Sequence, residues 1–156
     1  MKTKIAFLLL VATFILISCS PSVPKVIEEA FLRRFVGAKD IMWQRNSEQK
    51  WIAIFYSKKF DYMTAYYSKE GKLEALETEI YEEEIPDDLV DNVYLKYPNS
   101  LVFSVFRRNT KVNTDYIFEI VNNGQLFGLY YSGNGTTNII PADNIRFTSR
   151  IIIEND

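Results

Sequence analysis

Two sets of residues are dense enough to carry chemistry: an acidic run and a large complement of aromatic rings. Glu74, Glu77, Glu79, Glu82, Glu83, Glu84, Asp87, Asp88 and Asp91 fall within residues 74–91 with no Lys or Arg among them. Hard cations need several oxygen ligands converging from a shaped loop, and no EF-hand spacing is present here. The stretch is therefore read either as a small-ligand or divalent-cation module or as a solvated edge leading into a helix whose first turn favours acids. Glu82 and Asp87 have the side chains for acid and base work, but no pocket signal surrounds them. The chain has 2 Trp, 10 Tyr and 11 Phe. In a strand over 51–56, Trp51, Ala53 and Phe55 would face one way and Ile52, Ile54 and Tyr56 the other, so neither face is polar. That pattern fits a sheet buried on both faces or an aromatic surface that grips a partner. Tyr56, Tyr62, Tyr66, Tyr67, Tyr130 and Tyr131 are the candidate partner-binding residues, because tyrosine is enriched at interface hot spots. Trp43 and Phe31 are expected in the core. Ser132-Gly133-Asn134-Gly135-Thr136-Thr137 has the glycines and hydroxyls of a phosphate cradle but neither the Lys nor the following helix, and reads as a turn.

There is no histidine and a single cysteine, Cys19. These absences remove His-dependent triads, Cys–His nucleophiles, Cys/His zinc sites and redox dithiols. The chain is expected to be no enzyme, with no catalytic residue, metal ligand or cofactor. The cysteine stands behind Lys2, Lys4 and the apolar run Ile5–Ile17. That run is too short for a comfortable membrane span and has the order of a secretory leader. Leu16, Ile17, Ser18 and Cys19 resemble the lipobox of type II signal peptides. The resemblance implies cleavage before Cys19, lipid attachment to its sulfur, and a membrane partner through that anchor. Ser20 after the cysteine resembles the default sorted to the outer membrane, so the expected location is the cell envelope, at the outer membrane and facing the periplasm. Ser20-Pro21-Ser22-Val23-Pro24 reads as a short stiff tether.

These groups must be positioned by a domain of ordinary size. Net charge is −2 for the whole chain, which argues against nucleic acid as a partner. Pro24 and Pro86 each open a helical pattern, since proline lacks only a hydrogen bond that the first turn does not make. Ile27, Phe31 and Phe35 fall four apart, as do Leu89, Val93 and Tyr97, which predicts two amphipathic helices. Gly37 and Pro98-Asn99 end them. Strands are predicted at 41–43, 51–56, 62–67 and 73–80, then at 102–107, 116–121 and 126–131, with a closing strand over 145–153. Asn122-Asn123-Gly124 signals a tight hairpin. The pattern predicts an α+β domain with both helices packed on one face of an antiparallel sheet, leaving much of the other face open.

One further likeness rests on Val23, Pro24, Ala30, Phe31, Phe35, Gly37, Ala38, Trp43, Ala53, Phe55, Ala65, Tyr66, Gly71 and Lys72, with Ile85, Pro86, Leu89, Tyr97 and Pro98 in the second half. Their order resembles the PepSY-like, beta-lactamase-inhibitor-like proteins of the bacterial envelope. Val36 departs from the usual proline before the first glycine, and the turn from Asn109 to Thr114 is longer. The resemblance implies two tandem α-β-β-β(-β) units, about residues 23–82 and 83–135. With a C-terminal strand they make one domain over 25–156, behind a signal over 1–18 and a tether over 19–24. It also implies a non-enzymatic module that binds an envelope protein or peptide through the open aromatic face, inhibition or regulation included.

Overall fold

The computed structural model describes residues 22–58, 61–144 and 146–147. Helix α1 (Lys25–Arg34) is followed by strands β1 (Lys39–Arg45), β2 (Trp51–Tyr56), β3 (Tyr62–Tyr67) and β4 (Leu73–Ile80). A single 3-10 turn (Glu82–Glu84) leads to α2 (Asp87–Lys96), then β5 (Leu101–Thr110), β6 (Thr114–Asn122), β7 (Gln125–Tyr131) and β8 (Thr137–Ile140). Each strand pairs antiparallel with the next, giving one 8-stranded sheet in chain order. A helix and four strands thus occur twice in succession.

Both helices start on a proline carbonyl. The amides of Ile27 and Glu28 donate to the Pro24 oxygen, and those of Leu89 and Val90 to the Pro86 oxygen. Acidic side chains occupy each first turn and basic ones each last turn, matching the helix dipole. Ile27 and Phe31 of α1 are buried against Trp51, Ala53, Phe55, Ala65 and Tyr67. Val93 of α2 is buried against Ile80, Val105, Phe118, Ile120 and Leu129. Leu76 packs under α1 and Ile80 under α2. They are four residues apart on β4, so they share a face. The helices therefore cover the same side of the sheet, as the helical spacing requires.

The turns follow their residues. Asn123 and Gly124 both take positive φ (51° and 75°) between the paired Asn122 and Gln125, which is the backbone of a two-residue hairpin. β5 and β6 run longer than expected, because Thr110 and Asn113 close the intervening hairpin through the Asn113 carbonyl. Two expectations change. The stretch after the Ser132 turn contains a strand, β8, which pairs with β7 from Thr137 to Ile140. The closing strand over 145–153 lies largely outside the described residues, and its described members, Arg146 and Phe147, are helical. The leader, Cys19 and the tether as far as Pro21 also lie outside the described residues.

Candidate functional site

The face away from the helices is not open at its centre, contrary to expectation: Ile52, Ile54, Tyr62, Phe106 and Ile117 form a buried apolar cluster there, bordered by Met42, Tyr56, Tyr66, Tyr130 and Ile140. Strand register explains the rest of this face. Met42, Ile54, Thr64, Glu77, Arg108 and Asp115 are successive cross-strand partners from β1 to β6, so they form one row. The row begins apolar and ends charged. Ser104 and Glu119 pair in a second row across β5 and β6.

Glu77 is fully buried and Glu119 is 2% exposed. Arg146 reaches both from the C-terminal segment. Its Nη1 donates to Glu77 Oε2, and its Nε donates to Glu119 Oε1 at 2.8 Å. Arg108 Nη1 donates to the other oxygen of Glu77 at 2.5 Å, and Ser104 Oγ to the other oxygen of Glu119 at 2.8 Å. Both guanidinium planes lie on rings: Arg146 is 4.4 Å from the Phe106 centroid, and Arg108 is 4.3 Å from that of Tyr66. Among the described residues each of these carboxylates faces a guanidinium, as burial demands.

The ionisation of these groups follows from that packing. Burial pushes the Glu77 carboxyl up, but Arg146 and then Arg108 outweigh it and hold it below the usual carboxylate range. Burial works against the charge of Arg146, and Glu77 and Glu119 more than offset it, so its affinity for the proton is raised. Burial, and secondarily Glu77, raises the Tyr66 hydroxyl.

Asp115 ends the charged row and is 3% exposed. It accepts from Tyr130 Oη at 2.5 Å, Ser132 Oγ at 3.4 Å and the Gly133 amide at 2.8 Å. This draws the β7–β8 turn onto β6 so closely that a Cβ on Gly133 would lie 2.8 Å from the Thr114 carbonyl oxygen. Burial and then Asp115 push the Tyr130 hydroxyl up to about 12.

Beside Arg146 lies a cavity of about 400 Å³. Ile52, Ile54, Tyr62, Thr64 and Tyr66 line it on the sheet side, with Asn144 and Arg146 also at its wall. Gln44, Arg45 and the turn at Asn46 and Ser47 complete it.

The six candidate tyrosines do not form one patch. Tyr56, Tyr62, Tyr66 and Tyr130 belong to the cluster on the face away from the helices, whereas Tyr67 and Tyr131 pack beneath α1 and α2. The reason is elementary: neighbours in a strand point to opposite faces, so Tyr66-Tyr67 and Tyr130-Tyr131 must split. Tyr62 is also buried, edge-on to Tyr56 at 5.7 Å and to Phe106 at 5.8 Å. Trp43 and Phe31 meet edge-on at 5.2 Å in the core.

The acidic run is divided as well. Glu77 enters the buried network, Glu74 pairs with Lys50 at 3.1 Å, and Glu84 pairs with Arg107 at 3.2 Å. Among the described residues, no three acidic or cysteine side chains come together as a metal site. Glu119, Arg108, Arg146 and Asp115 escaped the sequence reading. One signal was available: Glu119 interrupts the apolar run Tyr116–Val121, and a charge there needs a buried partner.

No protein-family profile and no curated protein matches this chain. Its architecture is that of an α+β protein with helices backing one antiparallel sheet, and solved structures share it. A Bacteroides uniformis protein of the DUF2874 family aligns with a TM-score of 0.60 at 16% identity, covering 81% of this chain and 93% of that one. A second DUF2874 family protein, from Bacteroides ovatus, aligns at 0.61 and 14%, covering 80% and 92%. A BLIP-like protein from Bacteroides fragilis aligns at 0.55 and 16%, covering 78% and 86%. At these identities the likeness is one of fold. No helix among the described residues is long and apolar enough to cross a membrane.

Proposed function

We propose that this chain is a non-enzymatic, lipid-anchored protein of the bacterial envelope that holds a peptide or protein segment on the sheet face away from its helices. One observation carries the reading: that face has a cavity of about 400 Å³ with an apolar, aromatic floor and a polar rim. Binding sites commonly combine these features, with a few polar groups fixing orientation. The anchor rests on the leader and Cys19. The envelope setting gains support from a further fold neighbour, from Bacteroides eggerthii and provisionally described as periplasmic (TM-score 0.64, 10% identity). The PepSY-like, beta-lactamase-inhibitor-like resemblance, with two tandem units and an inhibitory or regulatory role, belongs to the same proposal. The BLIP-like neighbour agrees with it in fold.

Selection of peptides from a random displayed library against the full chain in detergent tests the reading. Binders are expected, and Gln44→Trp, which fills the cavity from β1, should weaken them by about tenfold or more while leaving the melting temperature in place. Selected peptides whose affinity ignores that substitution would move the site elsewhere. Adding the chain to a beta-lactamase assay tests the inhibitory role separately.

A further inference from the structure

The buried carboxylate pair has a property that core packing does not require. Glu77 and Glu119 lie on different strands, β4 and β6, and Glu77 Oε2 and Glu119 Oε1 converge on a single guanidinium. Phe106 on the intervening strand supplies the flat surface beneath it. Carboxylates above and a ring below are complementary to the planar, forked donor set of arginine, and a lysine would satisfy only part of it.

The arginine in place is Arg146, delivered by a short segment after β8. The segment's backbone bonds close within itself: the Asn144 amide donates to the Pro141 carbonyl, and the Phe147 amide to the Asn144 carbonyl. The Arg146 amide donates to Asn144 Oδ1. The guanidinium ties this turn to the sheet at Glu77 and Glu119, and the Phe147 ring beside it is buried. The cavity described above opens beside Arg146 and Asn144, so a ligand seated there already borders the guanidinium. Replacing one guanidinium by another leaves the buried charges matched, so the exchange avoids stranding a bare carboxylate.

We propose that Glu77, Glu119 and Phe106 form an arginine-recognition subsite of the face away from the helices, buried in the free protein with Arg146 filling it, and that the partner is an extended peptide presenting an arginine that displaces it. This rests on the reading of that face as a peptide-binding surface and names its partner chemistry. Arg108 stays in place as the second cation on Glu77, so the incoming arginine replaces one guanidinium by another.

The test uses the full chain in detergent and three probes: acetyl-Val-Thr-Arg-Thr-Val-amide and its lysine and citrulline counterparts. In the native chain, the arginine peptide should shift the Arg146 Nε–H resonance and bind saturably, and the citrulline peptide should do neither. Arg146→Ala removes the internal competitor and should tighten the arginine peptide by about tenfold or more, with the lysine peptide trailing by a similar factor. Arg146→Lys, which keeps the charge should the alanine variant unfold, should give a smaller gain in the same direction. An Arg146 resonance indifferent to the arginine peptide, or equal affinity in native and variant chains, would overturn the subsite. Methylguanidinium stabilising Arg146→Ala while no arginine peptide binds either chain would also overturn it, leaving Arg146 as a structural latch. Library peptides that still bind at the cavity in that case would keep the broader reading alive, so the two failures are separable.

Discussion

On the helix side of the sheet, Phe31 meets Trp43 and Phe55 edge-on at centroid distances of 5.2 and 4.8 Å, and Phe35 leans on Phe55 at 4.7 Å. On the other side the centre of the sheet is Glu77, with Arg108 and Arg146 on its two oxygens and rings beneath both guanidiniums. Phe31 and Glu77 are both fully buried, but the first is held by contact area and the second by directed bonds between charges. Contact area tolerates small shifts and adds roughly in proportion to its extent. A buried charge set is all or nothing, because losing one member leaves another unpaired. The first arrangement suits a scaffold, and the second suits a surface that must distinguish one chemical group from others.

The sharpest way to break this contrast is Glu77→Ala. It takes the carboxylate from Arg108 and one of two carboxylates from Arg146, and should cost about 4–5 kcal/mol in denaturant unfolding. The paired replacement Glu77→Leu with Arg108→Met, which keeps Arg146 on Glu119, should recover most of that loss, since apolar substitutes for buried ion pairs are often neutral or better. Failure of the pair to recover would mean that the contact between Glu77 and Arg146 dictates the loss. Acid should mimic the single substitution. The folded-state value of Glu77 is lowered, so its contribution is present above its ordinary value and fades as pH falls below about 4.5 toward the folded value. An acid limb that persists unchanged in the double variant would assign it to other carboxylates.

Phe31→Ala probes the opposite face and should cost about 3–4 kcal/mol by leaving a cavity among rings. Its loss should be indifferent to pH between 3 and 8, by about the same principle that makes apolar burial blind to protonation. A loss that grew as pH fell would show the two faces coupled through the sheet and would blur the distinction between them.

Asp115→Ala addresses the edge of the charged row and should cost about 2 kcal/mol, because Tyr130, Ser132 and the Gly133 amide lose a shared acceptor. The Tyr130 hydroxyl, held up near 12 by burial and then by Asp115, should titrate part of the way back toward 10 in an absorbance measurement. A Tyr130 that does not move would leave burial as the whole cause.

The difference between the faces also decides how much of the molecule its residue order announces. Pro24 and Pro86, apolar residues four apart, and Asn123-Gly124 carry their meaning within a few positions, and the helices and that hairpin are where those residues indicate. β8 is hidden because Thr137–Ile140 is short and follows a loop that reads as a turn. The charged centre is hidden for a deeper reason: Glu77 and Arg146 are 69 residues apart, and neither has a neighbour in sequence that foretells the other. Glu77 sits in an acidic stretch whose other members are half-buried or exposed, so composition masks the one that turns inward. The alternation rule could have separated Tyr66 from Tyr67 and Tyr130 from Tyr131 in advance, since it needs only consecutive positions.

The smallest effect is the most specific to the helix side. Tyr67 is 1% exposed, and its hydroxyl is buried without a hydrogen-bond partner among the described residues. Tyr67→Phe deletes that oxygen, keeps the ring against Trp43 at 6.3 Å, and should stabilise the fold by about 1 kcal/mol. Burial pushes the Tyr67 hydroxyl up to about 12, with Arg34 acting the other way. Its contribution is therefore intact below the ordinary value of 10 and is lost as pH rises from there toward 12, because the unfolded chain ionises first. Phenylalanine cannot ionise, so the variant should lose this part of the alkaline limb and widen its advantage over the native chain above pH 10. A destabilised Tyr67→Phe would mean the hydroxyl has found an acceptor in solution, and the helix face would then hold a directed bond of the kind found on the other side of the sheet.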